Sequence, residues 1–85
     1  KVDGVYEEDP HANPDARRFR HVSFVEALQR QLKIMDSTAF SLCMDNSMPV
    51  RIFDINQEGN LVSAIKGEPV GTLVDQEKGL EYYGE

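Results

Sequence analysis

Residues 50–74 of this 85-residue chain show a strand–helix–strand order that restricts the choice of fold. Residues 50–55 are β-branched and aromatic and predict a strand, residues 60–66 predict a short helix that ends at Gly67, and residues 70–74 predict a second strand. This order is typical of a right-handed crossover between parallel strands of an α/β sheet. Because two short strands do not form a stable sheet alone, we expect the chain to complete a larger α/β domain or to fold against another chain.

Two further helices are predicted before these strands. Ser23 and Glu26 have the spacing of a capping box, and the apolar positions after them predict an amphipathic helix of about three turns that ends near Lys33. Asp36 is suited to cap a second helix over residues 37–44, where apolar side chains occupy nearly the whole circumference. Such a helix needs cover on most sides, and a chain this short has little core with which to supply it.

The segments outside these elements are predicted to lie at the surface. Residues 7–13 are acidic or turn-forming and predict a loop. A short basic cluster follows, which we interpret as a solvated edge anchored by Phe19. The members of this cluster are Arg17, Arg18, Arg20 and His21. We divide the chain into a domain over residues 1–74 and a polar, mobile tail over residues 75–85.

The charge balance and the cysteine content exclude several classes of function. Fifteen acidic against nine basic residues give a formal charge of −6, which disfavours nonspecific binding to nucleic acid or to an anionic membrane. No apolar run approaches the roughly 20 residues of a membrane-spanning helix. Cys43 is the single cysteine, so no internal disulfide and no catalytic cysteine–histidine pair is expected. His11 and His21 lack a partner at metal-ligand spacing and are interpreted as surface residues, and we expect no metal site.

Four segments of the chain, at residues 1–10, 32–40, 48–54 and 59–73, form a recognisable set, and the first reads Lys-Val-Asp-Gly-Val-Tyr-Glu-Glu-Asp-Pro. In this order they resemble the C-terminal part of bacterial uridylate kinases. The match covers nearly the whole chain up to about Val74. It implies the α/β fold of the amino-acid kinases, a three-layer αβα arrangement with a mostly parallel central sheet, of which this chain is the C-terminal part.

The resemblance also implies an activity. Uridylate kinases transfer the γ-phosphoryl group of ATP to UMP, giving UDP and ADP in pyrimidine nucleotide biosynthesis, and they are cytoplasmic hexamers that work with Mg²⁺. Catalysis of this reaction consists mostly of holding two anionic nucleotides in line and cancelling their charge. The family's catalytic lysines and UMP contacts come from its N-terminal part. We therefore expect this chain to supply part of the ATP site and to be inactive alone.

By the same resemblance, Tyr6 and Asp9 bind ATP. Tyr6 lies against the adenosine portion, where an aromatic ring offers a flat apolar contact, and Asp9 accepts hydrogen bonds from it. Lys1, Asp3 and Gly4 belong to the same motif and are further candidates for the lining of the ATP site. Gly4 would also let the backbone approach a ligand closely.

Plainer interpretations of these residues stay open. Without the surrounding motif, the segment from Tyr6 to Pro10 would be a turn in which the Asp9 side chain bonds its own backbone. Asp36 is preferred as a helix cap over a role near the phosphates or a metal. Cys43 and Met44 are interpreted as core residues.

Two other functions are compatible with the same fold. The chain would belong either to a non-catalytic regulatory or storage relative that binds nucleotide, or to a kinase that phosphorylates an amino acid or carbamate. Lysine-containing, glycine-rich phosphate loops upstream would favour the uridylate kinase. The sequence begins at Lys1 without an initiating methionine, and we expect further polypeptide before it.

Overall fold

The computed structural model describes residues 3–84, and its strands form one sheet. The elements in chain order are β1 (Phe19–Ser23), α1 (Phe24–Gln29), α2 (Ser37–Asp45), β2 (Val50–Ile52), α3 (Asn60–Ile65), β3 (Thr72–Asp75) and β4 (Leu80–Tyr82). The strand order in the four-stranded sheet is β2-β3-β1-β4. In the described part of the chain, no helix has the length and apolar character needed to cross a membrane.

The core is centred on β1 and β3, which run parallel with Val22 opposite Val74. Both valines are fully buried. β4 lies antiparallel on the other side of β1, with Tyr82 opposite Phe19. The two rings stack with their centroids 4.7 Å apart, and Phe19 is fully buried beneath this contact. Burial of valine and aromatic side chains supplies most of the favourable free energy of folding in a sheet of this size.

β2 and β3 run antiparallel, so the predicted crossover between two parallel strands is wrong for this pair. Ile52, the last residue of β2, lies opposite Thr72, the first residue of β3. The connection that contains α3 therefore returns the chain to the end of β2 from which it departed, and the chain reverses direction. The parallel partner of β3 is β1, a strand that the sequence does not predict. The α/β class holds, with one parallel pairing among the three in the described residues.

The sequence analysis interprets the residues of β1 and β4 as surface segments, but the structure places both strands in the sheet. Arg20 and His21 of the basic cluster lie in β1, Arg17 and Arg18 are the two residues before it, and Phe19 is the buried anchor, as expected. Residues 75–85 are predicted to be a polar mobile tail, yet Leu80–Tyr82 pair with β1 and Tyr82 is only 6% exposed. Both strands depend on contacts between distant parts of the chain, which a local pattern does not reveal.

The predicted caps of the first two helices are confirmed. Ser23 Oγ accepts a hydrogen bond from the Glu26 amide at 3.0 Å, although the Glu26 carboxylate pairs with Arg30 rather than returning to Ser23. The Asp36 carboxylate accepts hydrogen bonds from the amides of Thr38 and Ala39 at 3.2 and 3.4 Å. Each cap satisfies amides that have no partner within their own helix. The first helix ends at Gln29, before the predicted end near Lys33.

α2 packs on the core along one side only. Phe40, Cys43 and Met44 contact the core cluster, and the Phe40 ring meets that of Phe24 edge-on at 5.4 Å. No residue of α2 is fully buried, and Leu42 is 61% exposed. Within the described residues, the helix therefore lacks the cover on most sides that its composition requires.

Gly71 lets the chain enter β3 directly against the end of β2. Its φ is 63°, and a Cβ at this position would lie 1.9 Å from the carbonyl oxygen of Ile52. Gly67 also has a positive φ, of 80°, but nothing lies within 4 Å of a Cβ added there.

Gly71→Ala will therefore destabilise the protein more than Gly67→Ala. The second substitution incurs only the penalty of a side chain in the left-handed region, about 1–2 kcal/mol, whereas the first adds a backbone clash that must push β2 and β3 apart. Urea unfolding followed by circular dichroism measures both changes. Equal losses of stability would contradict the close contact between Gly71 and Ile52.

Candidate functional site

A cleft of about 730 Å³ lies between the N-terminal loop and the segment that follows α1. Residues 3–11 form one wall and residues 30–33 form the other. The volume is within the range of small-molecule binding sites, roughly 300–1,000 Å³. Asp3, Gly4, Tyr6 and Asp9, which the sequence predicts to line one site, all lie on the first wall. Lys1, the remaining candidate, is outside the described residues.

Tyr6 is held in place by the Asp3 carboxylate. The phenol donates a hydrogen bond to its two oxygens at 3.1 and 3.2 Å, and the backbone of Tyr6 forms an isolated bridge with Arg18. Burial, followed by the hydrogen bond and the negative charge of Asp3, raises the pKa of Tyr6 above its usual value. The hydrogen bond to Asp3 holds the ring of Tyr6 in a fixed orientation at the cleft.

Asp9 is exposed at the rim of the cleft and already forms a local turn. Its Oδ1 accepts a hydrogen bond from the His11 amide at 2.9 Å, and its carbonyl oxygen accepts one from the amide of Asn13. The turn interpretation is therefore present in the structure. A carboxylate has about four acceptor positions on two oxygens, so this bond leaves acceptor capacity for a ligand hydroxyl or amino group.

Gly4 is buried at the base of the loop, where the chain itself requires a glycine. A Cβ at this position would lie 2.8 Å from Cδ of Arg18 and 3.0 Å from Oγ1 of Thr72. Arg18 in turn pairs with Asp3, with Nη1 3.0 Å from Oδ2. The close approach of these side chains fixes the start of the loop, and an approach of Gly4 to a ligand stays a prediction.

Glu7 anchors the loop to the basic cluster. Its amide donates to the Arg17 carbonyl oxygen at 2.9 Å, and its Oε2 accepts from the Arg17 amide at 3.0 Å. The bond from the Arg17 backbone lowers the pKa of Glu7, with smaller lowering from the Arg17 side chain and from Tyr82. The Arg17 guanidinium also stacks over the Tyr82 ring, 3.9 Å from its centroid. The loop is thereby connected through Arg17 to β4.

His21 is a partly buried residue of β1 rather than the surface residue that the sequence predicts. Its Nε2 lies 2.6 Å from Oδ1 of Asp75 on the neighbouring strand β3. His11 is exposed, as expected. Among residues 3–84, no group of three or more His, Cys, Asp and Glu side chains could hold a metal ion.

The second wall of the cleft, residues 30–33, has no role in the sequence-based prediction. The sequence predicts that these residues form the last turn of the first helix, whereas the structure ends α1 at Gln29 and turns the chain towards the loop. The signal for this turn is weak in the sequence, because no glycine or proline occurs between Ala27 and Asp36.

Asp3→Ala will lower the pKa of Tyr6 towards its ordinary value. The substitution removes both the acceptor of the phenol hydrogen bond and the negative charge that disfavours phenolate, while Arg18, whose charge favours phenolate, remains. NMR titration of ¹³C-labelled tyrosine across the alkaline range distinguishes Tyr6 from the other tyrosines. Glu8→Ala removes an equal charge from the same loop and is the control. A similar shift in both variants would show that general loop charge, rather than the Asp3 contact, sets this pKa.

Comparison with known proteins identifies the family of this chain. The amino acid kinase family model matches residues 1–54. Uridylate kinases from two strains of Corynebacterium glutamicum are 53% identical over 74 residues, which are 87% of this chain and 30% of the relative. The chain thus spans about a third of the length of these relatives.

Solved structures agree with this assignment. The UMP kinase of Bacillus anthracis superposes with a TM-score of 0.89 at 28% identity, covering 95% of this chain and 33% of that one. The UMP kinase of Ureaplasma parvum superposes with a TM-score of 0.78 at 37% identity, covering 88% and 32%. The resemblance to uridylate kinases is confirmed. Since the family model covers more than half of the sequence and the fold is shared over nearly all of it, this chain belongs to the amino acid kinase family.

Proposed function

We propose that this chain is the C-terminal part of a UMP kinase and that its cleft binds the adenosine portion of ATP. The supporting observation combines sequence and geometry: the loop whose motif resembles the uridylate kinases forms one wall of the cleft of about 730 Å³. In this proposal UMP and the reacting phosphates are bound by the rest of a longer polypeptide. The chain then contributes orientation of ATP to a reaction that is catalysed largely by positioning.

Two side chains of the loop perform this orientation. The ring of Tyr6, fixed by its bond to Asp3, contacts the adenosine portion. Asp9 lies at the exposed rim, where its carboxylate accepts hydrogen bonds from nucleotide hydroxyl or amino groups. The contacts of Glu7 with Arg17 hold the loop that carries both residues.

The described residues do not fit a magnesium site, because they contain no cluster of three metal-ligating side chains. We assign no step to a metal in this part of the chain, and the Mg²⁺ of the proposed reaction would be bound by groups elsewhere. The proposal also includes hexameric assembly and a cytoplasmic location. Only the resemblance to uridylate kinases supports these two properties.

Exposed apolar faces support the view that the chain is one part of a larger domain. α3 presents Leu61, Val62 and Ile65, which are 49%, 55% and 77% exposed, and α2 presents Leu42. A contiguous apolar surface on a folded domain usually marks an interface. The relatives are about three times as long as this chain. In the proposal, the corresponding additional polypeptide covers these faces.

Asp9→Ala in the complete kinase polypeptide will impair the use of ATP more than the use of UMP. Loss of a charged hydrogen-bond acceptor predicts a decrease of roughly tenfold or more in kcat/KM for ATP, with the KM for UMP nearly unchanged. Steady-state kinetics with each substrate varied in turn measures the two effects. Asp15→Ala is the control, because Asp15 is an exposed aspartate shortly after the loop that does not line the cleft. Equal effects on both substrates would identify Asp9 as a turn residue only.

The 85-residue chain purified alone will form no UDP from ATP and UMP. In the proposal it holds only one part of the ATP site, so the phosphates would not be brought into line. A coupled spectrophotometric assay for ADP, with a kinase of the relatives' full length as the positive control, measures this. Sustained UMP-dependent turnover by the chain alone would contradict the proposal.

A further inference from the structure

The turn after α1 places a residue with an unusual backbone conformation on the second wall of the cleft. Gln31 has a φ of 58°. Its amide donates to the Leu28 carbonyl oxygen at 3.1 Å, and the Leu32 amide donates to that of Ala27 at 3.0 Å. These two bonds form the Schellman motif, in which the residue with positive φ is usually glycine because it has no Cβ.

Burial does not explain why a glutamine occupies this position. Gln31 is exposed, so its side chain adds little to the core and does not offset the strain of the left-handed conformation. Gln31 does, however, line the cleft on the wall opposite Tyr6. Strain in a residue that contacts a ligand site is an indication of function.

The chemistry of the second wall singles out this residue. Arg30 is paired with Glu26, with Nε 3.1 Å from Oε1, and Leu32 packs against the core. Lys33 carries donors only. Gln31 alone on this wall has a side chain with both a donor and an acceptor, which is the combination that pairs with N6 and N7 of adenine.

We infer that Gln31 reads the base of the nucleotide bound in the cleft and selects adenine over guanine. The inference rests on the proposed function, in which that nucleotide is ATP. The Gln31 amide accepts a hydrogen bond from N6 of adenine and donates one to N7. Guanine presents two acceptors at the same edge, O6 and N7, so the amide forms only one bond with it and discriminates against GTP.

Gln31→Gly separates this role from a structural one. Glycine relieves the strain of the positive φ, so the variant will be at least as stable as the wild type, yet its preference for ATP over GTP will fall roughly tenfold. The measurements are kcat/KM for ATP and for GTP in the complete kinase polypeptide, together with the melting temperature. The KM for UMP will not change.

The chain offers a matched control in Ser47→Gly. Ser47 has a φ of 52° and ends α2 with the same pair of hydrogen bonds, from its own amide to Met44 and from the Met48 amide to Cys43. It does not line the cleft. Ser47→Gly will relieve comparable strain and leave the ratio of ATP to GTP use unchanged.

Gln31→Lys provides a second test, because a lysine donates to O6 and N7 of guanine. This variant will use GTP better relative to ATP than Gln31→Gly does.

An unchanged nucleotide preference in Gln31→Gly would overturn the inference. A loss of preference accompanied by a lower melting temperature would also overturn it, because Gln31 would then be a structural residue. A wild-type polypeptide that phosphorylates UMP with ATP but does not distinguish ATP from GTP contradicts only the role of Gln31. A wild type that does not phosphorylate UMP at all contradicts the proposed function itself.

Discussion

One buried hydroxyl group connects the N-terminal loop to the sheet. Oγ1 of Thr72 accepts a hydrogen bond from the Val5 amide at 2.8 Å and donates one to the Phe19 carbonyl oxygen at 2.6 Å. Thr72 is fully buried, so leaving either backbone group without a partner would cost about 1–3 kcal/mol. Val5 lies between Gly4 and Tyr6, and its carbonyl oxygen also accepts a hydrogen bond from the Phe19 amide at 2.8 Å. The Thr72 side chain therefore helps to fix the position of the cleft wall relative to β1 and β3.

The arginines of the basic cluster extend this connection to the end of the chain. Arg17 stacks over Tyr82, and Arg18 lies over Tyr83 with its Cζ 4.4 Å from the ring centroid while it also pairs with Asp3. When a guanidinium lies between an aromatic ring and a carboxylate, the carboxylate balances its charge and the ring packs against its flat face. The loop, the central strand β1 and the strand β4 therefore form one connected unit, although β4 is far from the other two in the sequence.

Local signals in the sequence predicted the parts of the fold that depend on neighbouring residues. The caps at Ser23 and Asp36 are examples, since each side chain bonds to amides two or three positions along the chain. β1 was not predicted, because Arg20 and His21 within it and the arginines just before it obscure the apolar pattern. The rings that cover these arginines, Tyr82 over Arg17 and Tyr83 over Arg20, come from the other end of the chain. The antiparallel pairing of β2 was also missed, because the direction of a connection depends on where Gly71 meets Ile52.

The candidate site was predicted in part, and for a different reason. Tyr6 and Asp9 were identified through the resemblance of a whole motif, and the structure brings both to one cleft. The residues that hold this loop, Glu7 and Arg17, were visible only as separate acidic and basic stretches. Nothing in the sequence pointed to Gln31 as a site residue. Its positive φ is a result of the two Schellman hydrogen bonds around it, and a glutamine does not predict such a conformation.

The stacking of Tyr82 on Phe19 has a consequence for the handling of this polypeptide. Phe19 is a fully buried aromatic residue of the sheet, and the ring that covers it belongs to Tyr82 in β4. Proteolysis that removes β4 would expose the Phe19 ring to water. It would also leave the backbone groups on one edge of β1 unpaired, and such an edge is a template for aggregation. β4, whose residues look polar and dispensable in the sequence, is therefore one of the supports of the cleft wall.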